Sequence, residues 1–287
     1  MPAVFFALIS YFAWGFGVFM EAIVARKIKP YSLIFWSYVI SLIIMSFYAP
    51  FALSDLKHLT VGTFILIIVL SFQALFLGAI FYYEALRIGN RALVGTIASS
   101  FPLVSVILSV IFLGERVNSQ QLAAIIVIFL GLFLSITNFK TINPKNIFSK
   151  ASLLAFFTML SWGIYIAFIK IPVKEVGWFW PIYLYYFIFP IPFIFLKLKK
   201  LPLEMPTKNN LLVLIIGSIM LVRVAELSYS FAISKGSVAI IAPIAGANPT
   251  LFVILAFLFF KDPITRQQIL GIVTTLVGIV LLSIFSV

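Results

Sequence analysis

The chain has 287 residues, of which 63% are hydrophobic and 10% are charged. Soluble domains are about 45–50% apolar and about 25% charged, so this composition excludes an ordinary soluble domain. There is no cysteine, which excludes disulfides and thiol catalysis, and the single histidine, His58, has no second histidine or cysteine beside it for a metal site. We therefore expect no metal ion and no cofactor. The net charge of +12 is spread over loop lysines and arginines, which indicates contact with anionic lipid headgroups and no nucleic-acid partner.

Ten apolar runs follow one another along the chain, each close to the roughly 20 residues that a helix needs to cross a bilayer. The connections between them are short and leave no residues for an extramembrane domain. These runs predict an all-α polytopic membrane protein with ten transmembrane helices. The helices are expected at residues 3–25, 31–53, 61–87, 92–113, 119–139, 149–171, 177–196, 211–233, 237–260 and 266–286.

An internal repeat divides these spans into two groups of five. The chain matches itself at a shift of 147 or 148 residues, and the superposed pairs include Tyr82 with Tyr229, Pro102 with Pro249 and Trp14 with Trp162. Because five is an odd number, the second group must enter the membrane from the opposite side, which predicts two inverted repeats. We assign residues 1–139 to the first repeat, 140–148 to a linker and 149–287 to the second repeat.

Three short motifs carry a resemblance to a known family. They are ALRIG at residues 85–89, PL at 102–103 and LGER at 113–116, with a second, degraded copy from Ala232 to Leu282. This pattern resembles the EamA-type domain of the drug/metabolite transporter superfamily. The resemblance implies a ten-helix carrier, usually with both termini cytoplasmic, whose transport path is lined chiefly by the first four helices of each half. It does not identify the substrate, because relatives move amino acids, drugs, sugars and other metabolites.

Lysine and arginine residues are unevenly divided between the two sides of the predicted bundle. The loops on the side of the termini carry five of them, and the loops on the other side carry fourteen. The positive-inside rule then places the termini outside the cytoplasm, whereas the resemblance implies the reverse. The sequence leaves the orientation open.

The eighth predicted span contains two charged residues near its middle, Arg223 and Glu226. Each such charge costs about 2.5–3.5 kcal/mol at the centre of a transmembrane helix. On a helix the two side chains lie about 60° apart, and Ser230 falls on the same stripe. We predict that Arg223 binds a substrate carboxylate or phosphate, while Glu226 holds the arginine in the empty site or carries a coupling proton. A purely structural ion pair is the alternative.

The third predicted span is the repeat equivalent of the eighth and offers fewer polar groups. Gln73 lies near its middle and is predicted to contact the substrate. Glu84 lies near its end and is a second candidate for the coupling proton. A pair with Arg87 at headgroup level is the alternative for Glu84.

Two prolines interrupt equivalent spans of the two halves. Pro102 and Pro249 each free a backbone carbonyl and kink the helix, and irregular backbone at this depth is tolerated only beside protein or a water-filled cavity. We therefore predict that Ser100 and Asn248, beside the two breaks, face the transport path. The alternative is a packing kink.

Two tryptophans occupy equivalent positions in the first and sixth spans. Trp14 and Trp162 are predicted to line the substrate cavity, and helix packing beside the neighbouring glycines is the alternative.

These features predict a secondary active transporter, an exporter or exchanger that works by alternating access. A small organic metabolite such as an amino acid would suit the Arg223 and Glu226 pair through its two charged ends, and a proton or other gradient would supply the energy. We expect the protein in the plasma (inner) membrane, as a monomer or weak homodimer whose partners are its small-molecule substrate and the lipid bilayer.

An intramembrane enzyme and a passive channel are the alternative functions. No predicted span contains a histidine or an aspartate, so a nucleophile and base cannot be assembled in the ordinary way, and we expect no enzymatic activity. A channel needs a continuous polar pore, whereas the polar groups here are few and localised.

Overall fold

The computed structural model describes residues 2–137, 149–205 and 209–286, which form a bundle of helices. The first repeat contributes α1 (Pro2–Val24), α2 (Pro30–Ser46), α3 (Val61–Ile88), α4 (Leu93–Phe112) and α5 (Ser119–Ile136). The second repeat contributes α6 (Lys150–Val176), α7 (Trp180–Leu198), α8 (Asn209–Lys235), α9 (Val238–Phe260) and α10 (Arg266–Ile284). Within these residues, nine helices are long and apolar enough to cross a bilayer, and the number is ten when α2 and the bent segment Ala49–His58 are counted together as one span. The predicted all-helical, multi-pass architecture is confirmed.

The second predicted span is wrong at its end. We expected a helix to residue 53, but α2 ends at Ser46, and Ala49–His58 forms a 3-10 helix bent by 91° from it. Pro50 has no backbone N–H, so an α-helix cannot continue through it undisturbed. Phe51 is 80% exposed, which is typical of an aromatic side chain at a membrane interface. The segment 49–58 therefore lies across the end of α2.

The other helix ends differ from the predictions by a few residues. The largest difference is at α6, which we expected to end at residue 171 and which continues to Val176. The last two residues of the predicted fifth span, 138–139, and the predicted linker 140–148 lie outside the described residues.

The two faces of the bundle follow from the alternation of the helices. Since each helix reverses the direction of the one before it, α1 begins and α10 ends at the same face, which we call the terminus face. The segment 49–58 and the corner between α6 and α7 also lie there. At the opposite face are the beginning of α2 and the end of α7.

Both helices that carry the predicted prolines are divided. In α4 the helix Arg91–Ala98 is followed by Phe101–Phe112, and Pro102 lies in the first turn of the second piece. In α9 the helix Val238–Gly246 is followed by Pro249–Leu255. Proline is tolerated in the first turn of a helix, where its missing N–H has no partner to lose. The prolines therefore start the second pieces.

Helix packing follows the repeat. Helix α1 packs against α8 and α9, while α6 packs against α3 and α4. Helix α5 packs against α10, and α4 crosses α9. Exchanging α1–α5 with α6–α10 converts the first set of contacts into the second and leaves the last two pairs unchanged. This is the contact pattern of two repeats related by a two-fold axis.

The α5–α10 pair is held together by very close backbone approach. A Cβ atom on Gly131 would lie 2.3 Å from the backbone nitrogen of Thr275, and one on Gly271 would lie 2.3 Å from that of Ser135. Small residues at such positions let two membrane helices touch along their backbones. This pair joins the two repeats at a position away from the charged residues.

Candidate functional site

The predicted pair of charged residues on α8 forms a buried ion pair. The Nη2 atom of Arg223 lies 3.1 Å from Oε1 of Glu226, and the Arg223 residue is only 7% exposed. Tyr186, on α7, donates its hydroxyl hydrogen to Oε2 of Glu226 at 2.6 Å. The guanidinium carbon of Arg223 also lies 4.7 Å from the centroid of the Tyr186 ring, within the range of a cation–π interaction. One tyrosine thus contacts both members of the pair.

Tyrosines from three other helices surround this ion pair. The ring of Tyr38, on α2, lies 4.9 Å from that of Tyr185 and 5.7 Å from that of Tyr186, measured between centroids. Tyr165, on α6, is buried within electrostatic range of both Arg223 and Glu226. Helices α2, α6, α7 and α8 therefore meet at one polar cluster, to which both repeats contribute.

Several donors in this cluster have no acceptor. Within the described ranges, four buried side-chain polar atoms lack a hydrogen-bond partner: Tyr38 Oη, Ser71 Oγ, Tyr165 Oη and Arg223 Nε. The Tyr38 hydroxyl lies near that of Tyr185 without reaching good hydrogen-bond geometry. Leaving a buried donor unsatisfied costs about 1–3 kcal/mol. Three of these groups, Tyr38 Oη, Tyr165 Oη and Arg223 Nε, belong to the cluster around the ion pair. They can donate hydrogen bonds to the oxygen atoms of a ligand.

A third charged residue, Glu21, lies near this cluster on α1. Its charge interacts with those of Arg223 and Glu226 on α8, and it also acts on Tyr83 of α3. Helices α1 and α8 are in tight contact at this level, where a Cβ atom on Gly17 would lie 2.7 Å from Cγ2 of Val222. The sequence-based site did not include Glu21, although an acid inside a membrane span was a sufficient signal to include it.

The predicted substrate-binding amide of Gln73 lies at a helix interface. Its Nε2 atom donates to the carbonyl oxygen of Ser161, on α6, at 2.9 Å. It belongs to a π-helical turn, Phe72–Gly78, inside α3. In this conformation the described contacts assign Gln73 to α3–α6 packing and do not bring it to Arg223.

Three further predicted polar residues also donate to backbone carbonyls. The Oγ atom of Ser100 donates to Thr96 O, and Nδ2 of Asn248 donates to Ala245 O, in both cases at a helix break. The hydroxyl of Ser230 donates to the carbonyl of Trp178 and joins α8 to the corner between α6 and α7. Each of these groups donates a hydrogen bond to a carbonyl near a helix end. This is the arrangement expected if the helix breaks at Ser100 and Asn248 serve packing alone.

The two predicted tryptophans form equivalent contacts. The ring centroid of Trp14 lies 5.7 Å from that of Tyr229, and the centroid of Trp162 lies 5.2 Å from that of Tyr82. Trp162 also meets Phe101, at the break of α4, edge to face at 6.0 Å. Each tryptophan therefore packs between the two repeats, next to the interrupted helices.

The second predicted proton carrier, Glu84, lies at the opposite face. Its Oε1 accepts a hydrogen bond from the Tyr31 hydroxyl at 2.8 Å, and its Oε2 accepts from Nε of Arg87 at 2.9 Å. The side chain of Arg87 is 71% exposed. This geometry resembles the alternative to a proton-carrying role, in which Glu84 pairs with Arg87 at the level of the lipid headgroups.

Indole hydrogen bonds join the two repeats at both faces of the bundle. At the terminus face, Nε1 of Trp180 donates to the carbonyl of Ala52 at 2.7 Å. At the opposite face, Nε1 of Trp36 donates to the carbonyl of Glu204 at 2.9 Å, and Nζ of Lys29 lies 3.1 Å from Oε1 of Glu204. Each face therefore carries a contact that joins the two repeats.

The terminus face carries an additional buried ion pair. Nζ of Lys170 lies 2.6 Å from Oε1 of Glu115, and it also donates to the carbonyl of Gly236 at 2.7 Å. Glu115 accepts from the backbone N–H groups of Val238 and Ala239 at the start of α9. Burial opposes ionisation of Glu115, but the hydrogen bonds from Lys170, Ser237 and these two N–H groups hold its pKa below the ordinary value. The pair thus joins the α4–α5 loop, α6 and α9.

Comparison with known proteins agrees with this architecture. An uncharacterized protein of Methanocaldococcus jannaschii is 36% identical over 91 residues, which are 32% of this chain and 64% of that protein, so the match spans less than two thirds of that relative. A solved crystal structure has a TM-score of 0.82 over 99% of this chain and 96% of its own, at 16% identity, and therefore shares the fold. The EamA-like transporter family matches residues 1–137 and 149–284, one match for each repeat. The chain is a multi-pass membrane protein that belongs to the EamA-like transporter family, a family of membrane transporters.

Proposed function

We propose that this protein is a secondary active transporter that moves a small organic metabolite across the membrane by alternating access. The observation that carries the proposal is the buried Arg223–Glu226 pair, which lies among three donors without acceptors at a point reached by both repeats. Intramembrane charges are kept where they contact a substrate, an ion or one another. In a chain of a transporter family, a cluster of this kind is the natural place for the substrate.

The chemistry of the cluster favours a zwitterion such as an amino acid. The free donors of Arg223 Nε, Tyr38 and Tyr165 suit a carboxylate, since they can supply hydrogen bonds and positive charge to its oxygens. Glu226 and the ring faces of Tyr185 and Tyr186 suit an ammonium group. An amino acid can satisfy both ends at once.

The other predicted residues can join the site when the helices move. Ser100, Asn248, Ser230 and Gln73 now donate to backbone carbonyls at helix breaks and interfaces. The bonds of Ser230 and Gln73 join different helices, so an opened interface frees both the donor and the carbonyl. The bonds of Ser100 and Asn248 are local and lie at the helix breaks, where a substrate group can replace the carbonyl as acceptor. We propose that Trp14 and Trp162 form the equivalent walls beside these breaks.

The two-fold relation of the repeats supports alternating access. The two faces use the same kind of contact, an indole N–H on a backbone carbonyl of the other repeat. Each contact involves few residues, so the two halves can rock about the central cluster and open one face at a time. A proton or other ion gradient in the plasma (inner) membrane would drive export or exchange. The sequence predicts that the side chain of either Glu226 or Glu84 carries the coupling proton.

The experiment is transport by the purified protein in liposomes. Radiolabelled L-amino acids, amines and sugars are tested one at a time, after a thermal-shift screen has ranked them. We expect saturable uptake that accelerates when the same solute is present on the opposite side. Arg87→Ala is the matched control for Arg223→Ala, because Arg87 is exposed and lies outside the cluster. Linear uptake without acceleration supports a channel, and chemical conversion of the solute supports an enzyme.

A further inference from the structure

We infer that Glu21, on α1, is the residue that carries the coupling proton. This inference rests on the proposed transport function and assigns one role within it. Glu21 lies inside the membrane span Pro2–Val24 and is half-buried. In the part of the chain that the structure describes, it takes part in none of the ion pairs and forms no hydrogen bond through its carboxylate.

The other acids in membrane spans are already engaged by donors. Both oxygens of Glu226 are engaged, since Oε1 forms the ion pair with Arg223 and Oε2 accepts a hydrogen bond from Tyr186. Both oxygens of Glu84 accept as well, from Tyr31 and Arg87. Glu175, at the end of α6, accepts from the Thr63 hydroxyl. Donors held in this way favour the ionised form of a carboxylate and oppose its protonation, so these groups are poorer proton carriers than an acid without donors.

The position of Glu21 brings it to the charged cluster. Glu21 lies one helical turn after Gly17, on the same face of α1, and Gly17 touches Val222 next to Arg223. Helical side chains lean toward the N-terminus of their helix. Because α1 and α8 run in opposite directions, the side chains of Glu21 and Arg223 lean toward each other. Their electrostatic interaction agrees with this placement.

The surroundings of Glu21 contain few other charges. On α8 it faces Arg223 and Glu226, and on α3 it faces Tyr83. The part of α9 that packs against this end of α1 contributes phenylalanines, of which Phe252 and Phe260 meet Phe19. Arg26 lies over the ring of Phe260 and is thereby directed toward α9. Arg223 is therefore the cation that acts on Glu21. Arg223 is already paired with Glu226, so it is not free to form an ion pair with Glu21.

The charge balance then gives Glu21 its role. Arg223 and Glu226 neutralise each other, so an ionised Glu21 leaves one net negative charge inside the bilayer, which is costly. A proton on Glu21 removes that charge when the cluster is closed and empty. A zwitterionic substrate carries no net charge, but its ammonium group can pair directly with the ionised Glu21 carboxylate while its own carboxylate binds the free donors of the cluster, and the proton leaves to water at the open face. Proton and substrate thus exclude each other, which is the requirement for exchange of one against the other.

The transport test compares three single variants in liposomes. Glu21→Gln should retain saturable exchange of the labelled amino acid at equal pH on both sides, but a pH gradient should no longer drive accumulation above the equilibrium level. Asp262→Asn, at an exposed acid outside the cluster, should accumulate the amino acid as the unchanged protein does, and Glu226→Gln should lose binding. Accumulation by Glu21→Gln with an unchanged pH dependence overturns the inference. Absence of saturable exchange in the unchanged protein overturns the transport function itself, whatever Glu21 does.

A second measurement needs no substrate. Infrared difference spectra between about pH 5 and about pH 9 report protonated carboxyl groups through their C=O band. We expect one such band in the unchanged protein, its loss in Glu21→Gln and its retention in Glu84→Gln. Glu21→Asp keeps the acid and should keep the band, so loss through misfolding is distinguished from loss of the proton site. A band that persists in a folded Glu21→Gln assigns the proton elsewhere and contradicts the inference.

Discussion

Helices α3 and α8 are repeat equivalents with different chemistry. In α8, Arg223 and Glu226 lie in a regular α-helix, whereas the positions 147 residues earlier in α3 are Phe76 and Ala79. There α3 widens into a π-helical turn, and Phe76 packs against Phe72 and Phe195. The two helices therefore occupy equivalent positions in the two repeats, but only α8 carries the charged pair. A substrate with unlike ends needs such an asymmetric site within a symmetric frame.

The two faces differ in the same way. At the terminus face, Glu115 forms a buried ion pair with Lys170. The equivalent residues at the opposite face are Asp262, which is exposed, and Ala22, which has no charge to offer it. The indole contacts of Trp36 and Trp180 join the repeats at both faces. The terminus face therefore has a buried ion pair that the opposite face lacks at the equivalent position, whereas the opposite face has the more exposed pair of Lys29 with Glu204.

The largest effect is expected from removing the charge that distinguishes α8 from α3. In Arg223→Ala, Glu226 becomes a buried and unpaired charge, a situation that costs about 3–5 kcal/mol, and the donor for a substrate carboxylate is lost. We expect the affinity for substrate to fall by about 100-fold or more, measured by calorimetry and by thermal shift. The double variant Arg223→Met with Glu226→Gln should recover stability without recovering binding. Unchanged affinity in Arg223→Ala would make the pair structural.

The next largest effect is expected from removing the buried ion pair that distinguishes the terminus face from the opposite face. Glu115→Gln leaves Lys170 without its buried partner, and we expect a loss of about 3 kcal/mol in the free energy of unfolding, measured by chemical denaturation in detergent. Asp262→Asn should change it by less than about 0.5 kcal/mol, because Asp262 is exposed. Equal effects of the two substitutions would contradict the difference between the faces.

The same carboxylate predicts a pH dependence. Because the folded pKa of Glu115 is lowered, its contribution to stability is complete above its pKa in the unfolded chain, about 4.3. That contribution is lost as the pH falls through the lower folded pKa. Glu115→Gln should therefore lose less stability than the unchanged protein over this acid range. A parallel acid loss in both proteins would show that the carboxylate is not responsible.

A smaller effect tests the contact between α7 and the charged pair. Tyr186→Phe removes the hydroxyl that donates to Glu226, and a hydrogen bond to a charged group contributes about 1.5–3 kcal/mol. We expect substrate affinity to fall by about 10-fold, measured by calorimetry. Tyr183→Phe on the same helix is the control, since the Tyr183 hydroxyl contacts Ser46 and not the pair. An equal loss in both variants would point to α7 packing.

The smallest effect concerns the polar residue of α3. Gln73→Ala removes a hydrogen bond to Ser161, and we expect a loss of about 1 kcal/mol in stability. Affinity for substrate should change by less than about 3-fold, because the equivalent helix α8 carries the main binding groups. A loss as large as that of Tyr186→Phe would show that α3 contributes to the site on equal terms.

The architecture was largely predictable from the sequence, because it depends on local and repetitive properties. The bilayer demands apolar runs of one length, so hydropathy is enough to locate ten spans. The self-match at 147 residues, together with an odd number of spans per half, is enough to invert the repeats. The end of α2 was missed because the segment around Pro50 is as apolar as a span, and only its 91° bend distinguishes it.

The composition of the charged cluster depended on the tertiary structure. Arg223 and Glu226 are three residues apart on one helix, so helical geometry alone predicts their pairing. Tyr38, Tyr165 and Tyr186 lie on three other helices, and in an aromatic-rich membrane chain nothing local separates a tyrosine in the cluster from one at the interface. Which donors meet which acceptors is decided by helix packing between distant segments. The sequence by itself determined the apolar spans and their division into two inverted repeats, because both depend on local composition and repetition. Packing between distant segments alone decided which helices meet and that Glu21 has no ion-pair partner among the described residues.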